Sequence, residues 1–552
     1  MARLERFYRR RIPVERVISP ELARASVELS YEIRRQIGFL INRRGMIESV
    51  IVGTDRQLVI PLLARSRSGP RLLRGVRFVH THLKDQPLTK DDLTDLALLR
   101  LDLMVAIGVG PSGDLAQIFV AHLLPENSEG KTCVELAPTP FHAFHMECQD
   151  FVQFVESEIT KDVPALTATK ERPGALLVSV FGRSWGEQEE RIQEAKELIT
   201  SQGIEVLDTV EQRLVKVNPK YVVGMGKLTD VIIQALQSGA EMLIFDRDLT
   251  PTQIRSISEM TEMKVLDRTQ LILDIFAKRA HSQAGKIQVE LAQLKYLLPR
   301  LSQTSTAFSR LGGGIGARGP GETKLETDLR RVRDRISHLE RELKSLTKHR
   351  VQQRTMRSRN QVPVVSIVGY TNAGKSTLLN TLTDSHVSAK DRPFETLDTV
   401  SRRLRLAIGR EVILTDTVGF IRDLPQGLFK AFRSTLEELH DADLLLHVID
   451  ASASDFDQQI HVVENILAEL ELEKVPRIFV LNKCDRLPPE EVEFLCRRYQ
   501  AVGVSALNKK TLHPIDSAIA NRLGWLAKDT LLVKDDGDME SPLCISSQAP
   551  VF

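Results

Sequence analysis

Cysteine is scarce in this 552-residue chain, which has five, and aromatic residues make up only 5% of it. The thiols (Cys133, Cys148, Cys484, Cys496 and Cys544) are scattered without paired spacing. That excludes a disulfide-built framework and suits a reduced, cytoplasmic compartment. No apolar run approaches the ~20 residues that cross a bilayer, so no membrane span is expected. The N-terminus is rich in arginine but lacks the apolar core of a secretory signal. Charge of either sign is barely in excess, at a formal +2, yet its distribution is uneven. Arginine clusters in Arg3–Arg16, Arg330–Arg335 and Arg350–Arg359, while Asp535–Glu540 is acidic. The planar guanidinium pairs well with phosphate, so such clusters can be nucleic-acid footprints as well as solvated helix faces.

The length is too great for one core, and composition shifts divide it. Residues 1–170 mix apolar runs with Pro/Gly turns and form an N-terminal α/β or α+β extension, ending in a polar linker near Thr160–Gly174. Residues 175–278 alternate strands (Ala175–Phe181, Ile204–Leu207, Met242–Phe245) with helices (Glu187–Gln202, Leu228–Gln237), the latter two stopped by Gly203 and Gly239. That rhythm predicts a small parallel α/β domain. Over residues 279–360, one apolar stripe runs through Ile287, Leu291, Leu294, Leu298 and Leu301. A second runs through Leu325, Leu329, Val332, Ile336, Leu339, Leu343 and Leu346. Matching stripes predict a long antiparallel helical hairpin. Its connector, Leu311–Glu322, holds six glycines with Arg310 and Arg318 beside them, more glycine than one turn needs. A cationic tip with exposed backbone suits close approach to a phosphate backbone. Residues 362–526 form the next domain, and the polar residues 527–552 are expected to be a disordered tail.

Chemistry concentrates in residues 362–526. A buried strand at Pro363–Gly369 leads into Gly369, Tyr370, Thr371, Asn372, Ala373, Gly374, Lys375 and Ser376, followed by Thr377. This spacing lets glycine-permitted backbone N–H groups surround a β-phosphate at a helix N-terminus. Lys375 can bridge the β- and γ-phosphates, and the Ser376 hydroxyl can ligate Mg²⁺. A strand at Glu411–Thr415 delivers Asp416, Thr417, Val418 and Gly419. Asp416 would hold the Mg²⁺ through water and the Gly419 N–H would meet the γ-phosphate. Phe394, Glu395, Thr396, Leu397 and Asp398 lie between, where a switch segment belongs, and Thr396 is the candidate second hydroxyl on Mg²⁺, with Thr399 close by. Lys375, Thr396 and Gly419 are therefore the candidate catalytic groups.

Asn482, Lys483, Cys484 and Asp485 follow the strand Arg477–Leu481. A carboxylate at Asp485 can accept from guanine N1–H and the N2 amine, whereas adenine would leave it unpaired, which makes GTP the substrate. Ser505, Ala506 and Leu507 supply a loop whose N–H can reach guanine O6. After Gly419 stands Phe420, which cannot orient an attacking water as a glutamine there would. Hydrolysis to GDP and phosphate should be slow in isolation and await a partner, a cation or a rearranged switch.

Over residues 175–526 the chain resembles the HflX family of translation-factor-related GTPases. The resemblance is carried by Asn218–Lys227, Phe245–Gln253 and, above all, Gly312–Glu326. It implies a P-loop GTPase that binds the large ribosomal subunit, splits stalled or idle ribosomes under stress, and is stimulated by them. It also implies that the glycine-rich tip reaches toward rRNA. Asn372 matches an asparagine that binds K⁺ in some related GTPases, which implies a potassium response. Gly224–Lys227 resembles a small phosphate loop, although a turn or an RNA contact explains it as readily. No partner chain is called for, so a monomer is expected. A ribosome-assembly factor would need the same GTP-dependent rRNA binding.

The extension has its own signature: His80-Thr81-His82, then Thr89-Lys90-Asp91-Asp92. This is similar to the HxH…SxxD arrangement of the JAB-type metalloprotease fold, RadC-like members included. The resemblance implies Zn²⁺ on two histidines and an aspartate, with an upstream glutamate, here Glu48, as acid/base. Threonine replaces the usual serine, Leu83 stands where proline is usual, and the spacing is one residue short. A metallo-isopeptidase fused to a regulatory GTPase and a degenerate docking module are both open readings. His142 and His145 show no third ligand at suitable spacing.

Overall fold

The structure, a computed structural model, describes residues 2–60, 73–125, 131–161, 172–182, 188–311, 320–357, 362–383, 400–417, 419–422 and 437–525. By its contacts the chain divides into two compact units. One comprises Met1–Trp185 and Gly203–Leu266, the other Gly186–Gln202 and Asp267–Phe552.

The first unit opens with helices α1 (Ala2–Tyr8) and α2 (Pro20–Ile33). Ser19 caps α2 by accepting from Leu22 N at 3.3 Å, with Pro20 at the first helical position where its missing N–H costs nothing. Strands β1 (Ile37–Asn42), β2 (Ile47–Val52), β3 (Val76–His82), β4 (Met104–Val109), β5 (Leu115–Leu123), β6 (Cys133–Glu135) and β7 (Thr139–Pro140) form one mixed sheet. Its order is β2-β1-β3-β4-β5-β6, with β7 also pairing β5. β3 and β4 are buried along their whole length, and they form the sheet's parallel pair. A parallel neighbour needs a crossover, supplied by helix α3 (Lys90–Leu99). Helix α4 (Cys148–Lys161) closes this part and buries Val152 and Val155 in the same core.

Four parallel strands follow in the order β11-β10-β8-β9: β8 (Gly174–Phe181), β9 (Glu205–Arg213), β10 (Met242–Phe245) and β11 (Lys264–Leu266). Helices α6 (Met225–Ser238) and α7 (Pro251–Ser258) are the crossovers after β9 and β10. The parallel α/β reading holds. β9 runs well beyond the short strand expected at Ile204–Leu207, because it is an edge strand whose Glu205, Asp208, Glu211, Gln212 and Arg213 mask the apolar signal.

In the second unit, helix α5 (Gln188–Ser201) packs on helix α8 (Arg268–Arg279). The buried Asp267 caps α8 by accepting from Gln270 N at 2.9 Å, and also accepts from Arg300 at 2.8 Å. Helices α9 (Gln283–Leu311) and α10 (Pro320–Arg357) make the antiparallel hairpin, burying Ile287, Leu291 and Leu339 with Leu294, Ile336, Leu343 and Leu346 around them. Arg335 forks onto Glu290 at 2.7 and 2.8 Å across the seam. Most of the glycine tip, residues 312–319, and the tail lie outside the described residues.

The nucleotide domain is a six-stranded sheet, β13-β14-β12-β15-β16-β17. Its strands are β12 (Val364–Gly369), β13 (Val400–Arg405), β14 (Glu411–Asp416), β15 (Leu444–Asp450), β16 (Arg477–Asn482) and β17 (Val502–Gly503). Only β13 runs antiparallel to its neighbour. This is the P-loop GTPase fold, and the C-terminal ends of its parallel strands deliver the loop Gly369–Ser376, Asp416, Asn482–Asp485 and Ser505–Leu507. Among the described residues, no helix is long and apolar enough to cross a membrane.

Candidate nucleotide site

The loop from Gly369 to Ser376 joins β12 to helix α11 (Lys375–Thr383). Two backbone features shape it. Asn372 adopts φ +64°, and Gly374 adopts φ +92° with room for no side chain, since a Cβ there would lie 2.2 Å from Asn482 Nδ2. Lys375 is buried, and its Nζ donates to the carbonyls of Gly369 at 3.1 Å and Tyr370 at 2.7 Å. Burial pushes its ammonium down to about 8, against the opposing pull of Asp416. Ser376 Oγ donates to Asp416 Oδ2 at 2.7 Å, so the two groups expected to meet Mg²⁺ directly and through water are adjacent and buried. A hydroxyl and a carboxylate at a helix N-terminus suit a hard divalent cation.

Thr417 Oγ1 donates to Ile367 O at 2.6 Å, which fixes the strand end. Gly419 passes so close that a Cβ would sit 3.0 Å from Lys375 Nζ. Phe420 is buried and its backbone is clamped to the loop: Phe420 N donates to Gly369 O at 3.1 Å and Thr371 N donates to Phe420 O at 2.7 Å. Val418, the switch segment Phe394–Asp398 with Thr396, and Thr399 lie outside the described residues.

At the base-reading end, Asn482 is a strut. Its Nδ2 donates to Ala373 O and its Oδ1 accepts from Ala506 N, both at 2.8 Å. Lys483 sits at φ +60° and pairs with Asp450 at 2.7 Å. Asp485 is exposed in the middle of a short 3-10 turn, Cys484–Arg486. Burial pushes the Cys484 thiol up to about 11, which makes it a spacer and not a nucleophile. Ser505 N donates to Thr511 Oγ1 and Ala506 N to Asn482, so guanine O6 would meet the Leu507 N–H or share the Ala506 donor. Thr381 Oγ1 holds Ala506 O at 2.7 Å from α11.

A second network was not legible from the motifs. Tyr370 is buried, and its hydroxyl donates to Glu194 on α5 at 2.9 Å while accepting from Arg422 N at 2.9 Å. Burial and the Glu194 charge push its phenol well above the usual range. Arg268 at the start of α8 donates to Glu194 at 3.0 Å and to Arg422 O at 3.2 Å. Arg422 in turn pairs with Asp455. The phosphate loop, the segment after Gly419, α5 and α8 thus share one buried polar node. The only signal in the sequence is a large hydroxyl-bearing residue at the second loop position.

In the first unit, His80, His82 and Asp92 do come together, whereas the expected acid/base does not join them. Glu48 is the unpaired extra residue of a bulge, between Ser49 opposite Leu40 and Ile47 opposite Ile41, and accepts from Asn42 Nδ2 at 3.1 Å. Level with His80 stand Gly38 on β1 and Ile51 on β2. Register therefore overturns the acid/base role of Glu48, and with it the support for an isopeptidase.

Residues 189–277, 279–357 and 364–483 match, respectively, the families described as GTP-binding GTPase N-terminal, GTP-binding GTPase Middle Region and 50S ribosome-binding GTPase. GTPase HflX of Caldanaerobacter subterraneus subsp. tengcongensis is 52% identical over 322 residues, 58% of this chain and 74% of that one. GTPase HflX of Escherichia coli (strain K12) is 45% identical over 374 residues, 66% of this chain and 87% of its own. A GTP-binding protein from the archaeon Sulfolobus solfataricus, solved in complex with GDP, is 26% identical over 64% of this chain and all of its own, with a TM-score of 0.37. With this identity spread over most of the length of its bacterial relatives, the chain belongs to the HflX family of GTPases.

Proposed function

We propose that this GTPase works in the cytoplasm as a monomer that binds the large ribosomal subunit and separates stalled or idle ribosomes under stress. GTP binding and hydrolysis to GDP and phosphate follow from the family. The partner is the added step, and one observation carries it. Phe420 is buried and held to the phosphate loop by both its N–H and its carbonyl, so the position that often orients the attacking water presents no polar side chain. Hydrolysis then depends on groups or a rearrangement that a partner brings. Two features favour rRNA as that partner: the hairpin of α9 and α10, and its connector with Arg310, Arg318 and six glycines. At ~1.5 Å per residue, the 38 residues of α10 reach about 57 Å, enough to project a tip far from the nucleotide. The match of residues 364–483 to a family described as 50S ribosome-binding GTPase points the same way.

In this reading Lys375 neutralises the β- and γ-phosphates. Gly419 N–H contacts the γ-phosphate, and Thr396 completes the catalytic set from the switch segment. Ser376 and Thr396 would hold Mg²⁺ directly and Asp416 would hold it through water, and the ion would supply positive charge against the charge developing on the phosphate oxygens. Gly369 through Thr377, Phe394 through Asp398 and Asp416 through Gly419 surround the phosphates. Asn482 through Asp485 and Ser505 through Leu507 surround the base. Asn372 is the residue on which a K⁺ response would rest.

Sucrose-gradient sedimentation of purified ribosomes with the protein and a non-hydrolysable GTP analogue tests the proposal, alongside hydrolysis rates with and without ribosomes in KCl and in NaCl. The expected result is loss of whole ribosomes, co-migration with large subunits and a rate stimulated by ribosomes. Whole ribosomes left intact, with the protein on free large subunits, would replace splitting with an assembly role. No co-migration at all would remove the ribosome as partner.

A further inference from the structure

The polar node around Tyr370 grips the main chain directly after Gly419. Phe420 and Arg422 offer two N–H and two carbonyl groups there, and all four are engaged. Phe420 N donates to Gly369 O at 3.1 Å and Phe420 O accepts from Thr371 N at 2.7 Å, a one-residue parallel bridge to the phosphate loop. Arg422 N donates to Tyr370 Oη at 2.9 Å, and Arg422 O accepts from Arg268 Nη2 at 3.2 Å. The first pair is backbone to backbone. The second depends on two side chains, one of them at the start of α8, and a side-chain bond can be lost singly. Ile421, between the two clamped residues, is buried.

Glu194 on α5 orients both of those side chains. Its Oε1 accepts from Tyr370 Oη at 2.9 Å and from Arg268 Nη2 at 3.0 Å. Burial and that carboxylate keep the phenol protonated, so its proton points to Glu194 and its lone pair to Arg422 N. Arg268 is anchored in turn through the residue before it. Asp267 is fully buried and accepts from Tyr296 on α9, from Arg300 Nη2 at 2.8 Å and from Gln270 N at 2.9 Å. The Arg300 guanidinium lies 3.4 Å from the centre of the Tyr296 ring, which fixes the pair against each other. Two consecutive residues at one helix start thus join the base of the hairpin to the stretch after Gly419.

We propose that Tyr370 and Arg268 are positioning residues for GTP hydrolysis, which together hold residues 420–422 in a resting pose, and that α9 sets the firmness of that hold through Asp267. The inference deepens the reading of a GTPase that waits for a rearrangement, and it rests on that reading. Gly419, whose N–H would meet the γ-phosphate, adjoins the held stretch, and Phe420 is part of it. Bonds made only in the resting pose raise its population, and each bond removed shifts the balance toward other poses by its own contribution. Weakening the hold should therefore speed hydrolysis in the absence of any partner, whereas damage to a GTPase site slows it.

The test is single-turnover hydrolysis of GTP with Mg²⁺ by the full chain, without ribosomes, which reads the chemical step apart from GDP release. Tyr370→Phe and Arg268→Gln should each raise the rate at saturating protein by about three- to tenfold, the worth of one net hydrogen bond. The double variant should gain less than the product of the two, because both release the same stretch. Arg300→Met, remote from the nucleotide, should raise the rate in the same direction at unchanged GTP affinity. Circular dichroism and melting temperature check folding, and Glu194→Gln replaces Arg268→Gln in the cycle should that variant not fold. Unchanged or slower hydrolysis in the folded variants overturns the proposal. Fully multiplicative gains overturn the shared hold, and an unchanged rate in Arg300→Met overturns the link to α9. With no ribosomes present, failure here leaves the sedimentation result standing, and failure there leaves these rates standing.

Discussion

The phosphate loop and the histidine cluster are two uses of one local topology. In each, a buried strand is followed by a loop, a helix N-terminus and a crossover to a parallel neighbour: β12, α11 and β14 in one, β3, α3 and β4 in the other. Both put polar groups at or just beyond the C-terminal end of the parallel strands, where open α/β sheets bind ligands. The chemistry is opposite. The first loop has Gly374, a lysine and a helix start whose N–H groups suit an anion. The second has no glycine between Leu83 and Thr89, and a carboxylate engages its helix start, leaving lone pairs that suit a cation. Charge at the site thus follows from what meets the first turn of the helix, backbone alone or a capping side chain.

Lys375→Ala should produce the largest effect. At ~1.5–3 kcal/mol for each charge-assisted hydrogen bond to phosphate, GTP affinity should fall on the order of a hundredfold or more. Titration with a fluorescent GTP analogue reads this directly, and an unchanged affinity would remove the anion half of the comparison. A second expectation concerns the same ammonium. Burial holds it near 8 in the free protein, and a bound triphosphate favours its charged form, so binding takes up a proton wherever the free lysine has lost one. Affinity should be flat below that value and fall by up to about tenfold per pH unit above it. Calorimetry in buffers of different ionisation enthalpy should show about half a proton taken up per GTP at pH 8. No uptake would place the lysine's titration outside the binding range.

Sequence revealed the two sites unequally, for physical reasons. Phosphate- and base-binding loops use consecutive backbone groups, so Gly369–Ser376, Asp416–Gly419 and Asn482–Asp485 could be read as strings. The parallel sheets and the hairpin were legible too, since burial on two faces and heptad spacing leave strong periods. The bonds between distant residues were hidden. Nothing near Tyr370 announces Glu194, which lies 176 residues away in sequence. The grouping of His80, His82 and Asp92 was visible as spacing, but the position of Glu48 depends on a bulge, and one inserted residue changes which side chain stands level with His80.

The smallest effect should come from Thr89→Ala, which tests the cation half without touching a ligand atom. Thr89 Oγ1 accepts from Asp92 N and donates to Asp92 Oδ2, so alanine removes the cap and one of the bonds that aim the carboxylate. An N-cap is worth ~1 kcal/mol, and the urea midpoint of the first unit should drop accordingly while GTP affinity stays the same. α11 has no such cap to lose, since its first turn is the phosphate loop itself. Equal stability in the alanine variant would mean that the capping box does not hold Asp92, and the contrast between a capped, cation-facing helix and an uncapped, anion-facing one would fail at its own origin.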